Sequence, residues 1–346
     1  MIIAVIGAGI SGLTAGSLLA KAGHQVTVFE KSKGFGGRLS TRYAGDANDV
    51  KLDHGAPYLA AGGAEYTAWL DSMIQAGVLA EWTDSVSFHD GNQLYAEHPN
   101  RERERMVIAP NGMNSLGQHL GRYVDVVRSK KVGGVTLVAP GKHTKRSWVV
   151  NFDDSSVFEA DAVIVATPGP QAQGILQTSQ DEWGVKFLIR QLSDVVYESA
   201  YTLMAGYGDR AQPDWKGIAC QNDVLLFVSN ERSKRPGSPE TTLVAQSTSA
   251  FAQAMANADS ADVQKSMVQA LSSVAGSWSG FPLWTQSHFW RYYRCVAPIE
   301  GMSYLELEQS NAPLAVIGDY IGGTTVESAY LSGKRLAEHW IATLAR

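Results

Sequence analysis

The sequence predicts an α/β chain of two domains, one discontinuous and built on a parallel sheet, the other built on a mixed antiparallel sheet. Three observations carry that reading. The amino terminus alternates strand, glycine turn, helix and strand. The stretch from about residue 193 to 284 alternates short strands around one long helical pattern. The carboxyl terminus returns to a strand, a glycine turn and a helix.

Taken in order, the apolar run at residues 2–6, the glycines at 7–12, a helix over 13–22 and a strand over 25–30 make a βαβ opening. A glycine-rich segment and a helix over 66–76 follow. The alternating charges Arg101, Glu102, Arg103, Glu104 and Arg105 read as a solvated loop or edge strand at a domain crossing. A helix over 114–123 leads to a strand at 124–128. Strands at 132–138 and 147–152 then suggest an antiparallel meander that closes on the apolar strand 162–166. The next region carries a helix over 261–275 and a polar loop, 231–240, in which Lys234 is expected to be solvated. The end reads as a strand over 314–317 and a helix over 326–344. This assigns residues 1–65, 105–190 and 285–346 to one domain, and 66–104 with 191–284 to a second, substrate-binding one.

At 346 residues, 45% of them hydrophobic, the chain can bury two cores. Its formal charge of −5 gives no field that would gather nucleic acid or anionic lipid. The amino terminus enters a strand without a basic, then apolar, leader, and no uncharged stretch is long enough to span a bilayer, so a cytoplasmic location is expected. Two cysteines, Cys220 and Cys295, give neither a disulfide framework nor a metal site, and the eight histidines show no paired ligand spacing. No metal is predicted.

Gly7, Gly9 and Gly12 fall between a strand and a helix. There a tight turn and the approach of backbone N–H groups to a pyrophosphate both exclude side chains. Glu30 closes the second strand where a carboxylate would accept from adenosine ribose hydroxyls, and no arginine follows at once to welcome a 2′-phosphate. These residues define a Rossmann-type dinucleotide site but do not distinguish FAD from NAD. A second glycine turn, Gly34, Gly36 and Gly37, ends in the cation Arg38 and suits a cofactor with exposed phosphate oxygens. Far along the chain, Gly318 and Asp319 precede a helix that begins near Val326. They offer a carboxylate for a ribityl hydroxyl and a helix terminus for charge on a reduced ring.

The segments IAVIGAGISGL, VFEKSKGFGGRLSTR, LDHGAPYL, PNGMNSL, VIVATPGPQA and VIGDYIGGTTVESAYLSG, in that order, resemble the bacterial renalase branch of the monoamine-oxidase-like flavoproteins. NERSKRP, QSTSAF and WRYYR fall in the same order, and the resemblance runs over nearly the whole chain. It implies a two-domain flavoprotein with a Rossmann-type FAD-binding domain and non-covalent FAD. The implied cofactor residues are Gly7, Gly9, Ile10, Ser11, Gly12, Glu30, Lys31, Gly37, Arg38, Leu39, Gly55, Ala56, Val132, Gly318, Asp319 and Val326. It further implies a substrate pocket formed partly by Gly55, Ala56, Pro57, Tyr58 and Leu59 and by Arg105, Met106 and Val107; Gln246, Trp290 and Tyr292 are expected to complete it, with core packing the alternative for the aromatics. Met106 stands where bacterial members carry an aromatic, and Gln246 where they carry a histidine.

The reaction implied is oxidation of 2- or 6-dihydro isomers of NAD(P)H to NAD(P)⁺, with hydride passing to flavin N5 and O2 returning hydrogen peroxide. Such chemistry needs aim rather than a general base. No catalytic side chain is therefore assigned: His54 reads as a hydrogen-bonded structural histidine, Arg291 and Arg294 as surface or phosphate-contacting cations, and Cys295 as a buried thiol. Two alternatives stay open, a flavin-containing amine oxidase and a flavin-dependent non-redox enzyme or nucleotide-binding flavoprotein. The residues specify no oligomeric state.

Overall fold

The computed structural model describes residues 1–45, 49–100, 102–138, 145–179, 182–209, 213–307 and 312–344. Arg101 lies outside the described residues. The chain divides into two compact units. The first comprises Met1–Leu39, Asn114–Tyr197 and Arg294–Arg346, and the second Ser40–Met113 and Glu198–Tyr293.

In the first unit, a six-stranded sheet has the order Asp125–Val127, Gln25–Phe29, Ile2–Ile6, Ala162–Val165, Leu314–Val316 and Leu305–Glu306. The first five strands run parallel and the last antiparallel. Ile3, Ala4 and Val5 and the whole of Ala162–Val165 are fully buried, as expected of parallel strands covered on both faces. Helix Ile10–Lys21 crosses the carboxyl-terminal helix Val326–Thr343 at very short range: a Cβ on Gly333 would lie 2.3 Å from the Ser11 carbonyl oxygen. Only glycine permits that approach.

The meander differs from the sequence expectation. Its third strand is Val157–Ala160, which with Val132–Leu137 and Trp148–Phe152 forms a separate antiparallel sheet, while Ala162–Val165 belongs to the parallel one. A single residue separates the two strands, and Val157–Ala160, which carries Glu159 and is partly exposed, lacks the apolar pattern that marks Ala162–Val165. That residue, Asp161, accepts from the Ile2 N–H at 2.7 Å and pairs with Arg146 at 2.6 Å.

The second unit is built on a mixed seven-stranded sheet, ordered Trp284–Ala297, Val196–Gly206, Thr242–Ser247, Leu225–Asn230, Gly217–Cys220, Ser87–His89 and Leu94–Tyr95. Gly217–Cys220 pairs parallel with Ser87–His89 and antiparallel with Leu225–Asn230. Helix Ser260–Ala275 contributes Val263, Met267, Leu271 and Val274 to a core shared with Leu203, Val228 and Ala245.

The boundaries expected from sequence shift accordingly. Residues 40–65 join the second unit because hairpin Thr41–Ala44/Val50–Asp53 packs Val50 and Leu52 on Met204 and Val244. Met106–Ile108 pairs with Leu59–Ala60 and Ala80–Thr83, which moves residues 105–113 there too. Leu192 and Val195 lie in the core of the first unit and carry 191–197 with them. The charged run is therefore not a crossing; the chain crosses at Met113–Asn114.

Candidate active site

In the first unit the predicted glycine loop is a tight turn that the backbone cannot build with other residues. Gly7 has φ +112°, and a Cβ there would lie 2.6 Å from the Ala166 carbonyl oxygen. One on Gly12 would lie 2.2 Å from the Gly7 carbonyl oxygen. Gly9 is different, because a Cβ there meets nothing within 4 Å. The protein does not require glycine at that position, so the open space is room for a ligand. Gly9 is also the N-cap of helix Ile10–Lys21, and it brings no capping side chain and no acid in the first turn. The terminal N–H groups, including those of Ser11 and Gly12, thus present partial positive charge without a side-chain acceptor. These features fit a pyrophosphate.

The second glycine turn docks on the first. Gly36 N–H donates to Ala8 O at 2.9 Å, and Gly9 bridges Gly36. Gly37 adopts φ +57°, with its Cβ position 3.5 Å from Gly9 Cα. Glu30 is buried; its carboxylate accepts from the N–H groups of Ala8 at 3.0 Å and Ser32 at 2.8 Å, which fixes it at the strand end. Lys31 is exposed, Leu39 is buried, and Val132 opens its strand at a bulge.

Arg38 and Asp319, predicted separately, meet. The half-buried guanidinium donates twice to the buried carboxylate, at 2.8 and 2.6 Å. Burial works against the charge on Arg38, but Asp319 outweighs it and holds Arg38 more firmly protonated than a free guanidinium. Tyr197, which the sequence reading missed, donates its hydroxyl to Asp319 at 3.1 Å and places its ring under Arg38. Burial and then Asp319 raise its phenol well above the ordinary range, so it remains a donor. Ser328 Oγ donates to the Asp319 carbonyl at 2.9 Å and closes a capping box with Thr325 at the start of the helix that begins at Val326. Gly318 N–H donates to Ser332 at 3.1 Å. Cys295 is buried, and burial pushes its thiol up to about 11, so it is not a thiolate at neutral pH.

In the second unit, three segments that lie far apart in sequence converge. Trp290 Nε1 donates to His54 O at 2.9 Å, Gln246 Nε2 donates to Gly55 O, and Tyr293 donates its hydroxyl to Gln246 Oε1 at 2.9 Å. Gln246 is 2% exposed, so its amide is committed on both sides. His54 packs against His288 and Trp290, with ring centroids 5.2 and 5.4 Å away. Burial, then His288 and Arg42, push His54 down to about 4, which leaves it neutral and a weak base at pH 7. Tyr58 stands between Trp82 and Phe227, at 5.9 and 5.7 Å. Ala56, Pro57 and Tyr292 are half-buried, Gly55 and Leu59 buried, and Arg291 exposed, as is Arg294 of the first unit.

Arg105 is engaged by Asp71 at 2.7 Å and by Glu81, and Met106 and Val107 are buried at 3% and 0% exposure. One sequence expectation changes. Lys234 is not solvated. It is fully buried, 2.7 Å from Glu231 and 3.5 Å from Asp53. The signal was available in the i, i+3, i+4 spacing of Glu231, Lys234 and Arg235 directly after a buried strand. Among the described residues, no group of His, Cys, Asp or Glu could hold a metal ion, and no helix is long and apolar enough to cross a membrane.

A family profile described as NAD(P)-binding Rossmann-like domain matches residues 5–75, and one described as flavin containing amine oxidoreductase matches residues 65–341. A 4,4′-diapophytoene desaturase of Staphylococcus haemolyticus is 60% identical over 40 residues, which are 12% of this chain and only 8% of that protein. Similar solved structures include cyclohexylamine oxidase from Brevibacterium oxydans, with a TM-score of 0.75 and 12% identity over 99% of each chain. A putrescine oxidase bound to putrescine scores 0.70 at 15% identity over 99% of each chain. An oxidoreductase from Methanosarcina mazei scores 0.69 at 14% identity, over 98% of this chain and 100% of that one.

Proposed function

The chain belongs to the flavin containing amine oxidoreductase family and is an FAD-dependent oxidoreductase, and within that family we propose that it oxidises isomeric dihydronicotinamide dinucleotides. The observation that carries this reading is the hydrogen-bonded convergence of Gly55, Gln246 and Trp290–Tyr293. Those residues lie in three of the segments, LDHGAPYL, QSTSAF and WRYYR, on which the renalase resemblance rests, and they build one constellation.

Bound FAD supplies the two-electron acceptor and passes the electrons to O2, which leaves as hydrogen peroxide. The Gly7–Gly12 turn and the terminus of helix Ile10–Lys21 would hold the pyrophosphate, with Glu30 on the adenosine ribose and Val132 at the adenine. Arg38, Asp319 and the helix start at Val326 would serve the ribityl and ring end. Trp290, Tyr292 and Tyr58 would offer flat faces to a nicotinamide, and Gly55–Leu59 would set its depth. A dihydronicotinamide loses hydride from ring carbon while its ring nitrogen supplies the electron pair that restores aromaticity. No proton has to be removed, and a neutral His54 is consistent with that. The free thiols Cys220 and Cys295 accord with a cytoplasmic setting.

The second reading is an amine oxidase, favoured by the likeness to cyclohexylamine and putrescine oxidases. An amine oxidase would hold a neutral amine between aromatic walls, and against that reading Tyr320, the aromatic beside Asp319, is fully buried and donates its hydroxyl to Thr167 O at 3.1 Å. Product analysis separates the two. Aerobic incubation with 2- and 6-dihydro-NAD(P), cyclohexylamine and putrescine should yield NAD(P)⁺ and peroxide from a dihydronicotinamide alone. Ketone or aldehyde from an amine, with no NAD(P)⁺, would reverse the assignment.

A further inference from the structure

Four ionisable side chains lie together in the second unit, with side-chain exposures of 0% for Asp53 and Lys234, 1% for Glu231 and 9% for Arg235. Two carboxylates face two cations. Arg235 bridges Asp53 at 2.5 Å and Glu231 at 2.8 Å, and Lys234 lies over the Trp82 ring at 5.5 Å. Burial favours the neutral acid at Asp53, but Lys234 and then Arg235 reverse this and keep it ionised. Such a cluster is poor evidence of stability, because desolvating four charges offsets most of their attraction, and apolar residues of similar volume would often serve the fold as well. A conformational role is better attested, and the bonds to the main chain show which conformation is held.

The cluster grips backbone. Glu231 accepts from the Asp53 N–H at 2.9 Å, and Asp53 accepts from the Met113 N–H at 2.9 Å and from Thr41 Oγ1 at 2.8 Å. Arg235 donates to the carbonyls of Pro110 at 3.1 Å and Ala109 at 3.3 Å. Asp53 thus enters the Asp53–Ala56 turn with its N–H and its carboxylate both fixed, while Trp290 and Gln246 hold the next two carbonyls. We propose that Lys234 and Arg235, acting through Asp53 and Glu231, are positioning residues that set the Asp53–Ala56 turn for hydride transfer. The inference rests on the reading that gives this turn substrate contacts. Neither residue needs to touch substrate: a small displacement of Gly55 and Ala56 is enough to spoil the approach of the donor carbon.

The test uses the FAD-loaded enzyme, Arg235→Lys, Arg235→Met and the charge-balanced double variant Glu231→Gln/Lys234→Met. Thermal midpoint, flavin visible circular dichroism, kcat and KM are measured for each. Positioning predicts that Arg235→Met and the double variant fold and keep flavin, with kcat down about tenfold to about a hundredfold and an altered visible dichroism. KM should change little, and Arg235→Lys should recover part of the loss. Wild-type kcat and dichroism in the loaded variants, whatever their thermal midpoints, would overturn the proposal. So would failure of every variant to fold, since the cluster would then be a folding element. If the wild type turns over no dihydronicotinamide, the substrate reading fails by itself, and the dichroism of the variants still decides the positioning role.

Discussion

At the scale of single residues, hydrogen bonds divide those with a legible role from those whose role only the fold reveals. Glu30 was readable because its position at a strand end is a local property. Lys234 was not, because its burial depends on Asp53, 181 residues earlier, and a polar run rich in Ser, Lys and Pro looks solvated wherever it stands. Tyr197 was invisible for the same reason. Asp319→Ala removes the acceptor of two charge-assisted bonds and should weaken FAD retention about tenfold or more, measured by flavin released on dilution. Full flavin occupancy in both Asp319→Ala and Glu30→Ala would overturn the cofactor contacts. Gln246 must donate to Gly55 and accept from Tyr293, and a neutral histidine can also do both. Gln246→His should therefore fold and raise turnover on a dihydronicotinamide, whereas Gln246→Leu should lower stability by about 1–3 kcal/mol. A kinetically silent histidine variant would make that position irrelevant to the chemistry.

His54 also sets a pH dependence. Its folded pKa, about 4, lies below the ordinary 6.5, so the unfolded chain takes up the proton first. Stability is then full above about pH 6.5 and is lost as pH falls toward about 4, by on the order of 3 kcal/mol. Burial lowers His288 as well, which adds to the loss in the same direction. Urea midpoints at pH 7 and pH 5 should differ in the wild type, and the difference should narrow in His54→Asn, with the remainder left to His288. Equal wild-type midpoints would contradict a neutral buried ring.

At the scale of elements, the βαβ opening and the closing strand and helix were legible because apolar period and glycine spacing coincide there. Pairing partners were less so. The strand Val157–Ala160, which carries Glu159 and is partly exposed, went unread beside the apolar Ala162–Val165, and Asp161 alone divides antiparallel from parallel pairing. The crossing of helices Ile10–Lys21 and Val326–Thr343 depends on Gly333, where any side chain meets the Ser11 carbonyl. Gly333→Leu should destabilise the protein by about 1–3 kcal/mol or more in a urea melt and reduce flavin occupancy, because Ser11 and the first turn of its helix must move. An unchanged melt would show that the helices can separate at no cost.

At the scale of the whole molecule, a discontinuous domain plan was readable, while its boundaries required tertiary pairing: hairpin Thr41–Ala44/Val50–Asp53 and strand Met106–Ile108 join the second unit through contacts that local sequence does not specify. Family and cofactor rest on the long profile match together with a glycine loop whose open space suits a pyrophosphate. Substrate is the central claim, and one half-reaction tests it. Purified protein is mixed without oxygen with 2-dihydro-NAD, 6-dihydro-NAD, ordinary NADH and putrescine in separate runs, and the flavin's visible band is followed before and after air is admitted. Rapid bleaching by one of the two isomers is expected, with little by ordinary NADH or putrescine, and recovery in air with peroxide and NAD⁺. Bleaching by putrescine alone, or by none of the four, would contradict that claim.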